Sequence, residues 1–170
     1  MNIVLIGMPS SGKTTVGKPL AFRLCMGFAD TDAVIREREN RELSSIVNED
    51  GLQHFLHIQE SVLLGLHYDN YVISTGGSAV YSDKSMQHLK KNGIIVYLKV
   101  SYEDIEKRIT SKRRFARNSE QTLLDLYNER TPLYEKYTDM TVECAGKTVE
   151  EITAEIALYY EKIVLGGQLI

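Results

Sequence analysis

The sequence has little cysteine: Cys25 and Cys144 are the only two in 170 residues. They stand far apart, and neither belongs to a CxxC or Cys/His cluster, which excludes a zinc site and a disulfide framework. Both are expected to be reduced thiols in the core. A long Lys/Arg block is also missing, and the net charge is -3. Affinity for a nucleic-acid backbone depends on clustered cations, so a nucleic-acid partner is excluded. No apolar run approaches the ~20 residues of a membrane span. The opening segment, 2–6, is too short for a signal h-region and lacks a basic leader, so no membrane partner and a cytoplasmic location are expected. With no internal repeat, low-complexity tract or linker, the expectation is a single domain over 1–165, a monomer rather than an oligomer, and a frayed tail over 166–170.

What is present suits a folded chain. Hydrophobic residues make up 43% and charged residues 25%, which allows a core without disulfides and argues against disorder. Short apolar runs rich in β-branched residues predict buried strands over 2–6, 71–74 and 94–98, with weaker candidates at 27–30 and 140–143. Helical patterns fill the gaps, over 13–26, roughly 52–66, 83–91, 102–109, 121–137 and 149–163. Ser101 with Asp104 and Thr148 with Glu151 read as helix starts, an N-cap hydroxyl followed three residues later by an acid. Strands alternating with helices predict an α/β fold, a five-stranded, mostly parallel sheet with helices on both faces.

Gly7-Met8-Pro9-Ser10-Ser11-Gly12-Lys13-Thr14 satisfies G-x-x-x-x-G-K-[ST] between a predicted strand and a predicted helix, the context that a phosphate-binding loop requires. Gly7 and Gly12 let the backbone curl so that its N–H groups point inward, and the following helix adds its positive end. Lys13 can reach the outer phosphates of ATP, and the Thr14 hydroxyl can coordinate Mg²⁺. The nucleotide-contacting candidates are Gly7, Ser10, Ser11, Gly12, Lys13, Thr14 and Thr15. Kinases and nucleotide switches share this loop, so it does not choose between them.

The next motif is Phe28-Ala29-Asp30-Thr31-Asp32, with both acids expected at the end of the second strand and facing the ligand crevice. Then follow Gly76-Gly77-Ser78 after a strand, the basic stretch Lys112, Arg113, Arg114 and Arg117, and Arg130-Thr131-Pro132-Leu133-Tyr134. In this order the motifs resemble those of shikimate kinases, small relatives of the nucleoside monophosphate kinases, over nearly the whole chain. The resemblance implies the P-loop kinase fold with a short lid over about 110–120, and transfer of the ATP γ-phosphate to a hydroxyl of a small, carboxylate-bearing hydroxy acid. It implies that Asp30 holds a Mg²⁺-bound water, and that Asp32 binds the reacting hydroxyl and orients or accepts its proton. Gly76, Gly77 and Ser78 would line the substrate, Arg130 would grip its carboxylate, and Arg108 would cover the adenine. Arg114, with Arg117 as the rival, would swing onto the γ-phosphate, and Ser74 could assist the Mg²⁺ shell.

The pattern breaks in the substrate pocket. Where the family carries Phe-Arg-x-x-Glu, this chain reads Phe55-Leu56-His57-Ile58-Gln59, and the third glycine of the family's G-G-G is Ser78. The cation and its acid partner are replaced together by neutral residues, as in a rebuilt pocket. His54, His57 or Ser78 could compensate, or the acceptor could be another small hydroxylated metabolite. A regulatory module that has lost catalysis, or a gluconate-type or nucleoside monophosphate kinase, are the other readings.

Overall fold

A computed structural model describes residues 1–109 and 121–166. At its centre is β1 (Asn2–Ile6), whose Ile3, Val4, Leu5 and Ile6 are all fully buried. A strand covered on both faces loses the apolar/polar alternation, which is why its sequence is a continuous apolar run. β2 (Gly27–Asp30), β3 (Tyr71–Ser74), β4 (Gly93–Lys99) and β5 (Met140–Glu143) complete a five-stranded sheet of order β2-β3-β1-β4-β5. Every pairing is parallel. β2 and β3 lie on one side of β1, β4 and β5 on the other, and this reversal opens a crevice beyond the carboxyl ends of the central strands.

All five expected strands are present, β4 a residue longer at each end. The helices α1 (Lys13–Arg23), α4 (Leu52–Leu64), α5 (Asp83–Lys90), α6 (Tyr102–Arg108), α7 (Leu123–Tyr137) and α8 (Val149–Gly166) match the expected pattern. α1 stops before position 26, where the chain turns through Cys25 at φ +52. α8 runs on to Gly166; the remaining tail lies outside the described residues. Ser101 caps α6 by accepting from the Asp104 N–H, and Thr148 and Glu151 exchange hydrogen bonds at the start of α8. A third such box, Thr122 with Asp125, opens α7 and was not anticipated.

Two further helices were not foreseen. α2 (Thr31–Glu39) buries only Thr31 and Ile35, and α3 (Leu43–Asp50) only Ile46. Their Ile35 and Ile46 join Phe55, Ile58 and Val62 of α4 in a second apolar cluster, separate from the main core around the sheet. Tertiary packing rather than periodicity therefore holds them. The expectation for the thiols is corrected in part: Cys144 is buried, but Cys25, in the left-handed turn after α1, is exposed.

Candidate active site

The loop between β1 and α1 carries its glycines where the backbone demands them. Gly7 has φ +145, and a Cβ there would stand 2.8 Å from the Leu98 carbonyl oxygen; Gly12, at φ +97, is the N-cap of α1. Other side chains would be strained at both positions. Lys13 folds back over the loop and donates from Nζ to the carbonyls of Gly7 at 2.8 Å and Met8 at 2.7 Å. Its ammonium is thus held at the mouth of the curl, with Ser11 Oγ 3.3 Å away. Ser10 takes φ +64, and its carbonyl accepts from Arg108 Nη1 at 3.4 Å, so α6 reaches the loop. Thr15 faces solvent on the first turn of α1.

Strand register then brings three oxygen-bearing side chains together. Ser74 pairs with Leu5 on one side and Asp30 on the other, at the carboxyl ends of their strands. Thr14 Oγ1 donates to Asp30 Oδ2 at 2.8 Å and lies 3.2 Å from Ser74 Oγ. The other oxygen of Asp30 caps α2, accepting from the N–H groups of Asp32 and Ala33 at 3.0 and 3.3 Å. The expectation that both acids end the second strand is corrected: Asp30 ends β2, and Asp32 sits in the first turn of α2, because the Asp30 cap starts the helix between them.

Asp32 faces the loop after β3. A Cβ on Gly76 would lie 2.5 Å from Asp32 Oδ1 and 2.7 Å from Gln59 Nε2, so only glycine lets both groups approach this backbone. Fully buried Thr31 fixes the same loop by accepting from the Gly76 N–H at 3.1 Å. Gly77 lies between the P-loop and α7: a Cβ there would be 2.8 Å from Pro9 Cδ and 3.2 Å from Arg130 Nη1, and its carbonyl accepts from Tyr134 at 2.7 Å. Arg130 is only 1% exposed and donates from Nε to the Tyr81 hydroxyl at 3.0 Å. Burial pushes the Tyr81 phenol above its ordinary range, against the opposing pull of Arg130. Burial also raises the Tyr134 phenol, which keeps it a hydrogen-bond donor.

The rebuilt wall lies next to this. Ser78 donates to Gln59 Oε1 at 2.9 Å, and Leu56, His57, Gln59, Ser78 and Tyr81 line one cavity. The Ser78 hydroxyl is therefore engaged by Gln59. His54 lies 4.0 Å from Asp50 on the exposed side of α4. Arg114, with Lys112, Arg113, Arg117 and the expected lid over about 110–120, lies outside the described residues. Sequence reasoning missed Tyr81 and Thr31, which carry no local signal. The spacing of Arg130 and Tyr134, one helical turn apart, could have placed them on one face.

The residues suit Mg²⁺ with a nucleotide. No cluster of three or more acids or histidines exists among the described residues. Mg²⁺ does not need one, since it binds through one or two protein oxygens and completes its shell with water and phosphate. Thr14, Asp30 and Ser74 supply hard oxygen donors beside a loop built for phosphate.

Comparison with known proteins decides the family. The shikimate kinase family model matches residues 9–161. The chain belongs to the shikimate kinase family. A shikimate kinase of Thermodesulfovibrio yellowstonii is 38% identical over 97% of this chain and 98% of its own length. The crystal structure of shikimate kinase from Aquifex aeolicus superposes with a TM-score of 0.83 at 31% identity, covering 98% of this chain and 99% of that one. Shikimate kinase from Acinetobacter baumannii, solved in complex with shikimate, gives 0.79 at 29% identity over 99% and 95%. The chain is accordingly an ATP- and Mg²⁺-dependent small-molecule kinase with the P-loop kinase fold that its motifs imply. No described helix is long and apolar enough to cross a membrane.

Proposed function

We propose that this protein transfers the γ-phosphate of ATP to a hydroxyl of shikimate, as a cytoplasmic, monomeric single-domain enzyme. The observation that carries the reading is the convergence of Lys13, Thr14, Asp30 and Asp32 at the carboxyl ends of β1 and β2. Backbone N–H groups of the P-loop and Lys13 hold the phosphates. Lys13 gives up a carbonyl contact to do so, and its three donors allow it to keep another. Thr14 and Asp30 hold Mg²⁺, which when bound screens the charge of the phosphates. Arg108 covers the nucleotide base. Asp32 orients the acceptor hydroxyl and takes its proton as the new O–P bond forms and the bridging oxygen leaves with ADP. Arg130, whose Nε donates to Tyr81, pairs with the acceptor carboxylate through its planar fork. Arg114 supplies the lid cation.

The test is an assay with ATP, Mg²⁺ and shikimate on the wild type and Asp32→Asn. Turnover at sub-millimolar shikimate that falls at least a hundredfold in Asp32→Asn supports the reading, a loss within the range for one acid–base group. Nucleotide binding without shikimate turnover overturns it. A second reading, the same chemistry on another small hydroxylated metabolite, is favoured by one observation: among the described residues, the cavity walled by Leu56, Gln59 and Ser78 has no Lys or Arg in its lining. A screen of hydroxy acids and polyols separates the two.

A further inference from the structure

Gln59 is only 2% exposed, yet its Nε2 has no hydrogen-bond partner among the described residues. A buried amide donor left unpaired is costly, so a fold that keeps one beside Asp32 calls for an occupant. The other half of the amide is engaged. Ser78, itself 4% exposed, donates to Gln59 Oε1 at 2.9 Å, which fixes the plane of the amide. With the oxygen held, the nitrogen points at the backbone of Gly76, against which Asp32 Oδ1 also stands. The opposite orientation would turn the amide oxygen toward that carboxylate, an unfavourable pairing of two acceptors. Gln59 and Ser78 both line the cavity that opens beside Leu56 and Tyr81.

We propose that Gln59 is a specificity-determining residue whose Nε2 donates to a neutral hydroxyl oxygen of the phosphate acceptor, and that Ser78 is the positioning residue that aims it. The inference rests on the proposed function and names what this wall of the pocket reads. A hydroxyl fits both neighbours, since it can accept from Gln59 while donating toward Asp32. An acceptor carboxylate placed there would meet the Asp32 carboxylate with only a neutral amide to offset the repulsion. The wall therefore selects a hydroxyl, and the acceptor's charge belongs at Arg130.

The experiment measures initial rates with ATP, using shikimate and a set of analogues each lacking one hydroxyl, for wild type, Gln59→Met and Ser78→Ala. Loss of one good hydrogen bond corresponds to about tenfold in kcat/KM. The expected result is that wild type loses at least about tenfold on one deoxy analogue, and that Gln59→Met narrows that discrimination by about tenfold, leaving what the contact with Asp32 contributes. The change falls on the acceptor KM, with the KM for ATP unmoved. Ser78→Ala, which frees the amide, shows a smaller loss on the same analogue. Wild-type turnover of shikimate with Gln59→Met slowed equally on every analogue, or on none, overturns the inference alone. Absence of shikimate turnover by folded, ATP-binding wild type overturns the proposed function and the inference with it. Should Gln59→Met fail to fold, Ser78→Ala decides: an unchanged analogue profile overturns the inference.

Discussion

Thr14 on α1 and Asp30 at the end of β2 share a hydrogen bond of 2.8 Å, and the same Asp30 carboxylate starts α2 through its second oxygen. One side chain thus ties Thr14, at the start of α1, to the cap of the helix that carries Asp32. Asn caps helices as well as Asp does, whereas Ala costs about 1 kcal/mol. Asp30→Asn is expected to keep the melting temperature and to raise the Mg²⁺ concentration needed for half-maximal rate by about tenfold, one charge-assisted contact being worth about 1.5–3 kcal/mol. Asp30→Ala should show the same Mg²⁺ effect and also melt about 2–4 °C lower. Thermal melts alongside Mg²⁺ titrations check both; equal melting temperatures for Asn and Ala would refute the dual role.

Gly76 offers a sharper steric test. Its φ is not in the left-handed region, so Gly76→Ala introduces no backbone strain. The added methyl instead meets Asp32 Oδ1 at 2.5 Å and Gln59 Nε2 at 2.7 Å, closer than atoms tolerate. Displacing the acid by about 1 Å costs on the order of a hundredfold in rate. Gly76→Ala is expected to lose acceptor phosphorylation on that scale while nucleotide affinity, read by calorimetry, stays within about twofold, because the P-loop is untouched.

How much of this was readable in the chain follows the range of the interactions. The P-loop was legible because Gly7, Gly12, Lys13 and Thr14 act through local backbone geometry, and β1 because burial on both faces leaves a plain apolar run. The caps at Ser101 and Thr148 were legible for the same local reason. α2 was not, since Thr31–Glu39 buries little beyond Thr31 and Ile35, and its place is set by contacts with α4. Gln59 could be seen as a departure from the family pattern. That it accepts from Ser78 and leaves Nε2 unpartnered among the described residues depends on α4 and the β3 loop meeting in space, which no local pattern encodes.

Tyr81 tests whether Arg130 needs its holder. The phenol accepts from Arg130 Nε at 3.0 Å, and the guanidinium carbon is 4.9 Å from the ring centroid. Tyr81→Phe keeps the ring and removes the acceptor, a loss of about 1 kcal/mol. The acceptor KM should rise about fivefold with kcat nearly unchanged, whereas Arg130→Lys, which loses the fork as well, should raise it tenfold or more. Equal KM values for Tyr81→Phe and wild type would show that the hydroxyl does not position Arg130.

The two thiols make the last prediction, in which the sign of a titration is decisive. Burial pushes Cys144 up to about 11 from its ordinary 9.0, and its Sγ lies 3.4 Å from the Val142 carbonyl oxygen; Cys25 is exposed. The thiolate is the nucleophile, so iodoacetamide at pH 8 is expected to label native protein at Cys25 and to reach Cys144 only after unfolding. Above pH 9 the unfolded chain releases the Cys144 proton while the folded chain keeps it. The unfolded state then binds fewer protons, and stability falls as pH rises from about 9 toward 11, by on the order of 2 kcal/mol for this group. Buried Tyr97 and Tyr134, whose phenols are also raised, add their own loss from about pH 10 upward. Cys144→Ala should therefore flatten the stability profile between pH 9 and 10 and leave the later fall in place. Urea melts across that range measure it, and an unaltered slope in the variant would show that Cys144 is not the group that titrates.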